Sequence, residues 1–298
     1  MENKPVKQNS FHLAGIVPVA GRKLDFNMPW HDSLMPIGQN YLAVERAVQE
    51  CAFVGCETIW VVCHDDMQPL IRYRLGDYIN DPRYIGHHRR DPMYLVRPIP
   101  IYYAPILPRD INRKDCLAWS VLHGAWSAYK VGRELSKWIT PDKYYVSFPY
   151  GIYPFNTLFS VRKVISSKKH FAMTYEGKSV KDNLYLPFTF DGEMYKECRH
   201  IVFRESTYKH DKDRKELPPE KKWSARWFKL DRVFRNVNIE ESVVYEVPWY
   251  YGIDNWEGYC EFISSEHRQL VTRPRKEEMA YHEWNPIAVD AEDIERYK

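Results

Sequence analysis

The chain has 298 residues, enough for one large α/β core or two smaller ones, because a single core stops growing near roughly 250–300 residues. Lys and Arg number 43 against 40 Asp and Glu, a near balance that excludes a protein-wide electrostatic footprint for nucleic acid and leaves only local patches for it. No apolar run reaches the roughly 18 residues of a membrane span, and residues 1–10 lack a signal-peptide core, so the expectation is a cytoplasmic protein with no membrane partner.

Residues 13–19 are apolar or small without alternation, as a parallel strand covered on both faces requires. The strand runs into Gly21-Arg22-Lys23, a glycine turn that carries two cations. Such a turn offers backbone N–H groups and positive charge to the phosphates of a nucleotide. From residue 39 the spacing becomes helical, with Leu42, Val44, Ala47, Val48, Cys51 and Ala52 on one face and Gly55 as the stop. Residues 58–63 predict a second buried strand, and a short helix follows through Leu70, Ile71 and Leu75. Strand, helix, strand, helix is the signature of a βαβ unit.

Between residues 77 and 108 repeated prolines predict a long surface excursion with one short strand at 101–104. A helix fits 115–134, and a strand at 144–148 ends in Pro149-Tyr150-Gly151, a turn at the carboxyl edge where open α/β sheets bind ligands. Further on, the pattern predicts a helix at 156–166, strands at 171–175, 184–190 and 200–203, and a charged loop at 208–222. A helix at 223–234, a strand at 243–247 and a helix at 255–264 close the core. The six cysteines are scattered without a C-x-x-C pair and read as reduced core residues. The 22 Tyr and 10 Trp read chiefly as core.

The first eighty residues resemble the sugar-phosphate nucleotidyltransferases and the related GT-A glycosyltransferases. The matching features are Gly21-Arg22, Leu34-Met35-Pro36-Ile37-Gly38, and Gly55-Cys56-Glu57-Thr58-Ile59-Trp60-Val61-Val62; a later echo is Gly252-Ile253-Asp254-Asn255. The resemblance implies a Rossmann-like α/β core with a mixed, mostly parallel sheet, helices on both faces and an elaborated C-terminal half. It implies a single domain over 1–298, with a nucleotide-binding half at 1–155, a sugar or acceptor half at 156–272 and a polar tail at 273–298. Three features depart from the family pattern. The glycine turn is poor in glycine, Asp32 stands where the family carries a lysine, and residues 144–153 lack the aspartate that ends the family's central strand.

Several residues become site candidates. Gly21, Arg22 and Lys23 would hold phosphates, and Arg22 with Asp254 would carry catalysis. Asp65 and Asp66 lie past a strand's carboxyl end and, with Asp254, would hold Mg²⁺, although Asp66 equally suits a helix cap. Asp115 is either a cap or a cofactor contact, and Asp110, Tyr150 and Gly151 are substrate candidates. His31-Asp32 suits acid–base work or a polar loop, the loop being the cheaper reading. Basic and aromatic residues interleave at 83–97 and 196–235, a pattern that can pair phosphates.

The implied activity is a nucleotide- or nucleotide-sugar-dependent transferase that joins a sugar phosphate to a nucleoside triphosphate. One alternative moves sugar from a nucleotide-sugar to a polymer such as a modified DNA base, with nucleic acid as acceptor. A second is an inactive nucleotide-binding scaffold.

Overall fold

The computed structural model describes residues 11–21, 27–82, 97–114, 116–135, 140–155, 158–205 and 228–274. The first strand, β1 (Leu13–Pro18), leads to a 3-10 turn (Asp32–Leu34), a small hairpin of β2 (Pro36–Gly38) and β3 (Tyr41–Leu42), and α1 (Ala43–Val54). Then come β4 (Thr58–Cys63), α2 (Gln68–Leu75), β5 (Tyr78–Asn80), β6 (Pro98–Pro105), α3 (Pro108–Lys114) and α4 (Leu117–Leu135). The chain returns through β7 (Lys143–Val146), β8 (Gly151–Ile152), α5 (Leu158–Ile165), β9 (Phe171–Thr174), β10 (Phe188–Phe190) and α6 (Gly192–Glu205). It ends with α7 (Leu230–Val233), β11 (Val243–Glu246), β12 (Tyr251–Gly252) and α8 (Trp256–Ser264).

Eight strands form one mixed sheet in the order β11-β9-β10-β7-β1-β4-β6-β5. Strands β7, β1, β4 and β6 are mutually parallel, whereas β10 pairs antiparallel with both β7 and β9, and β5 is an antiparallel edge. Alternation of side chains divides the core into two layers. Ala14, Ile16, Trp60, Val62, Tyr144 and Val146 face α4, while Leu13, Val17, Ile59, Val61, Cys63 and Tyr145 face α1. Central strands covered on both faces are therefore apolar throughout, which is why β1 and β4 lack the alternation of a half-exposed strand. Gly15 lets α1 approach β1 closely, since a Cβ there would stand 2.8 Å from the Cys51 sulfur.

The expected fold class is the observed one, a mixed and mostly parallel sheet between helices. Local boundaries need correction. The helix expected from residue 39 starts at Ala43, because residues 36–42 are spent on the hairpin. Residues 200–203 are helical rather than a strand: Cys198, Ile201 and Val202 bury one face of α6. The Asp191 carboxylate accepts from the N–H groups of Glu193 and Met194 and starts that helix. Of the strand expected at 184–190, only Phe188–Phe190 pairs. The antiparallel β5 and the short α3 are absent from the sequence reading. The loop expected at 208–222 and the start of the helix expected at 223 lie outside the described residues. All six cysteines are unbonded to one another, and Cys260 is exposed while the others are buried. Among the described residues no helix is long and apolar enough to cross a membrane.

Buried ionic clusters fix α1, one of them the Glu45 pair with Arg74 at 2.9 Å. Arg162 on α5 forms a bidentate pair with Asp81, at 2.9 and 2.6 Å, and also donates to the Ala52 carbonyl in the last turn of α1, at 3.3 Å. Deeper in, Arg46 donates to Glu50 (2.9 Å) and to the Phe148 carbonyl (3.1 Å), and Glu50 accepts from Tyr145 (2.7 Å) and Tyr153 (2.8 Å). Burial opposes the Arg46 charge, but Tyr153 and Glu50 outweigh it and hold the guanidinium protonated.

Candidate functional site

The chain runs from β1 out to β4 and β6, then comes back to pair β7 on the other side of β1. The crossovers diverge at that point, at the carboxyl ends of β1 and β7, the usual ligand position in open α/β sheets. The end of β1 is well defined. The N–H groups of Val19 and Ala20 donate to the Val62 carbonyl, and Ser120 donates to the Ala20 carbonyl at 2.6 Å. Gly21 follows with φ +84°, a left-handed conformation that suits glycine. A Cβ there would also overlap the Cys116 backbone, so no other residue fits this turn.

On the β7 side, Arg46 holds the Phe148 carbonyl, and Tyr150 is completely buried with its hydroxyl on the Val19 carbonyl at 2.8 Å. Tyr150 is thus a strut that ties the end of β7 to the end of β1. Gly151 begins β8, which pairs antiparallel with β12 through Gly151↔Gly252, and the Ile253 N–H closes onto the Tyr150 carbonyl at 2.8 Å. The ribbon brings Asp254 to the same edge although it is about a hundred residues away in sequence.

Asp254 is half-buried and accepts from the Tyr185 hydroxyl at 2.9 Å. Tyr185 itself is fixed by donation of its backbone N–H to the Tyr250 hydroxyl and by edge contacts with Phe148 and Tyr150, ring centroids 5.9 and 5.6 Å apart. The helix-capping duty that Asp254 shared as a candidate falls to Asn255, whose side chain accepts from the Gly258 N–H at 2.8 Å. Asp254 therefore has a carboxylate oriented by a phenol rather than spent on a cap. Gly151 and Gly258 are places of close approach: a Cβ on Gly151 would meet the Tyr185 carbonyl, and one on Gly258 would meet the Gly252 carbonyl. A small third core seals the back of this region, with Met35, Ile37, Tyr41, Ile152, Trp249, Ile253 and Phe262 joining the β2–β3 hairpin, the ribbon and α8.

Other candidates lie elsewhere or in other roles. Asp65 and Asp66 are exposed in the turn after β4, and their charges assist burial in pushing the Cys63 thiol up to about 12. Neither caps α2, whose N-cap is Met67 without a side-chain bond. Asp110 is buried in an ion pair with Lys114 at 2.9 Å, and that ammonium lies 4.1 Å from the ring centroids of both Trp119 and Phe203. The Asp32 carboxylate holds the 3-10 turn by accepting from the Ser33 N–H at 2.9 Å. His31 meets both the Ser33 hydroxyl (2.8 Å) and Asp32 (3.1 Å) through the same Nδ1 atom, so Ser33, His31 and Asp32 cannot form a relay through two ring nitrogens. Arg22, Lys23 and Asp115 lie outside the described residues. Among the described residues no three His, Cys, Asp or Glu side chains gather for a metal, so Asp65, Asp66 and Asp254 do not form one group.

The structure thus joins Tyr150, Gly151 and Asp254 through contacts at one sheet edge, and Gly21 follows two residues after Val19, whose carbonyl holds Tyr150. It adds Tyr185 and Tyr250, which no sequence signal marked. Tyr185 is read only as part of an expected strand, and its meeting with Asp254 spans 69 positions.

No protein-family profile and no curated protein matches this sequence. Solved structures do match in fold. A Bacillus anthracis protein assigned as a glucose-1-phosphate thymidylyltransferase, in complex with a sucrose, aligns with a TM-score of 0.54 at 10% identity, covering 89% of this chain and 98% of its own. An apo UDP-glucose pyrophosphorylase aligns at 0.50 and 13% identity over 88% and 100% of the two chains. A UTP-bound UGPase from Acinetobacter baumannii aligns at 0.50 and 12% identity over 85% and 92%. The fold is that of the sugar-phosphate nucleotidyltransferases.

Proposed function

We propose that this protein is a nucleotide-dependent transferase of the nucleotidyltransferase type, joining a sugar phosphate to a nucleoside triphosphate. The observation that carries the reading is the joining, at the point where strand order reverses, of the end of β1 at Val19, through Tyr150, to the ribbon that presents Asp254. In the proposed reaction a phosphate oxygen of the sugar phosphate attacks the α-phosphorus of the triphosphate. The bond from that phosphorus to the oxygen bridging to the β-phosphorus breaks, and pyrophosphate leaves with the electron pair. Positioning and charge neutralisation supply most of such catalysis.

Arg22 and Lys23 are assigned to the phosphates, and Asp254, oriented by Tyr185, to substrate hydroxyl groups and the sugar side. Tyr150 and Gly151, both buried, brace this edge, with Gly151 packed closely on the Tyr185 carbonyl. Magnesium binds through one or two carboxylates plus substrate phosphates in many phosphoryl-transfer sites. Among the described residues the candidate carboxylates are not gathered into one group.

The test is pyrophosphate release with a panel of triphosphates and sugar 1-phosphates; silence across the panel removes the reading. Asp254→Asn should keep the Tyr185 bond and the melting temperature while lowering turnover about tenfold or more, the value of one charged hydrogen bond of about 1.5–3 kcal/mol. A second reading, sugar transfer from a nucleotide-sugar to a polymer such as a modified DNA base, is favoured by two observations. The chain leaves β7 through Ser147-Phe148-Pro149 without a carboxylate, and Asp32, where the resembling transferases carry lysine, is buried in a structural turn. Incorporation of labelled sugar into nucleic acid separates the two readings.

A further inference from the structure

A cavity of about 400 Å³ opens beside α6, and none of its lining residues belongs to the site above. Lys196, His200 and Arg204 line it from successive turns of one helix face, and Arg235 enters from the segment after α7. At 1.5 Å of rise per residue the three helical positions stand about 6 Å apart along the axis, a row rather than a cluster. One carboxylate, Glu197, also lines the cavity, and it already accepts from the Asn236 amide at 3.3 Å.

Elsewhere in the fold cations are used structurally: Arg46, Arg74, Arg162 and Lys114 are each buried against a carboxylate. Lys196, His200, Arg204 and Arg235 are exposed, and among the described residues they have no hydrogen-bond or ion-pair partner. The charges of Lys196, Arg204 and Arg235 therefore contribute little to the fold and are available to a ligand. A row of cations suits a string of anions better than one compact phosphate, which would call for convergent donors. The lining contains no Phe, Tyr or Trp on which bases could stack, so contact would be to phosphates and tolerant of sequence.

We propose that this groove holds the phosphodiester backbone of a single nucleic-acid strand. The proposal does not rest on the nucleotide-binding reading of the sheet edge. It is tested by fluorescence anisotropy of a labelled oligothymidylate with the full chain, between about 50 and about 200 mM salt. Three neutralised phosphates give an expected slope of log affinity against log salt of about −2, from about −0.7 per phosphate on a single strand.

The Arg204→Glu/Arg235→Glu double variant, and independently Lys196→Glu, should weaken binding about tenfold or more at low salt and flatten the slope. Because these side chains are exposed, melting temperature and any thermal shift by nucleotides should stay as in the wild type. Three results would overturn the proposal: no anisotropy change at low salt, equal binding by wild type and both variants, or inorganic triphosphate displacing the oligonucleotide as well as unlabelled oligothymidylate does at equal phosphate concentration.

Discussion

Replacing Glu50 by Gln tests whether the buried polar core holds the sheet edge in place. Both Arg46 and Glu50 side chains are fully buried, so neither gains from water when the other is removed. Glu50→Gln leaves the Arg46 guanidinium facing an amide, and one acceptor oxygen must then serve the Tyr145 and Tyr153 hydroxyls that now share two carboxylate oxygens. Breaking one side of a buried ion pair costs about 3–5 kcal/mol. With about 2–4 °C lost per kcal/mol in chains of this general size, the melting temperature should fall by at least about 6 °C. Arg46→Met/Glu50→Leu removes the charges but strands two tyrosine hydroxyls at about 1–3 kcal/mol each. Adding Tyr145→Phe and Tyr153→Phe should therefore recover most of the loss, since a well-packed apolar replacement of a buried ion pair is often neutral or better. Urea unfolding followed by circular dichroism ranks the variants. The reasoning fails if Glu50→Gln stays within about 1 kcal/mol of wild type, or if the quadruple variant is less stable than the single one. Because Arg46 also holds the Phe148 carbonyl, ligand binding at the β7 end should weaken in step with stability.

Gly151→Ala should cost about 1–3 kcal/mol through its clash with the Tyr185 carbonyl. Gly192→Ala, where a Cβ meets nothing within 4 Å, should be neutral or slightly stabilising; equal midpoints for the two in denaturant would contradict the close-approach argument. Burial lowers the Lys143 ammonium from 10.5 to about 8, although its Nζ also donates to the Ser167 and Lys169 carbonyls at 2.7 Å each. The unfolded chain keeps that proton up to the ordinary lysine value, so it binds more protons than the folded chain between the two values. Wild type should then gain stability relative to Lys143→Met as pH rises from 8 to 10.5, and a flat difference across that window would refute the shift.

Much of the fold was legible in the sequence. The short, β-branched apolar runs at β1 and β4 suit strands covered on two faces, and the face spacing of α1 and α4 suits helices. The run at 200–203 misled because three consecutive apolar residues suit either period, and only the wider placement of Cys198, Ile201 and Val202 on one buried face decides for helix. The short pairings of β5, β8 and β12 carry too few residues to leave a periodic signal.

At the candidate site, the sequence by itself determined that a glycine turn follows the first strand and that a proline–tyrosine–glycine turn follows β7, since local backbone chemistry demands these residues wherever they fold. Tertiary structure alone decided which side chains share the edge. It buried Tyr150 as a strut, and it buried Asp110 and Asp32, whose own partners Lys114 and Ser33 stand only four and one positions away. It also closed Tyr185 onto Asp254 across 69 positions. The physical reason is range. Strand and helix periods are set by neighbours a few residues apart, whereas a partner as distant as Tyr185 is from Asp254 is set by strand order and crossover path, which one-dimensional spacing does not encode.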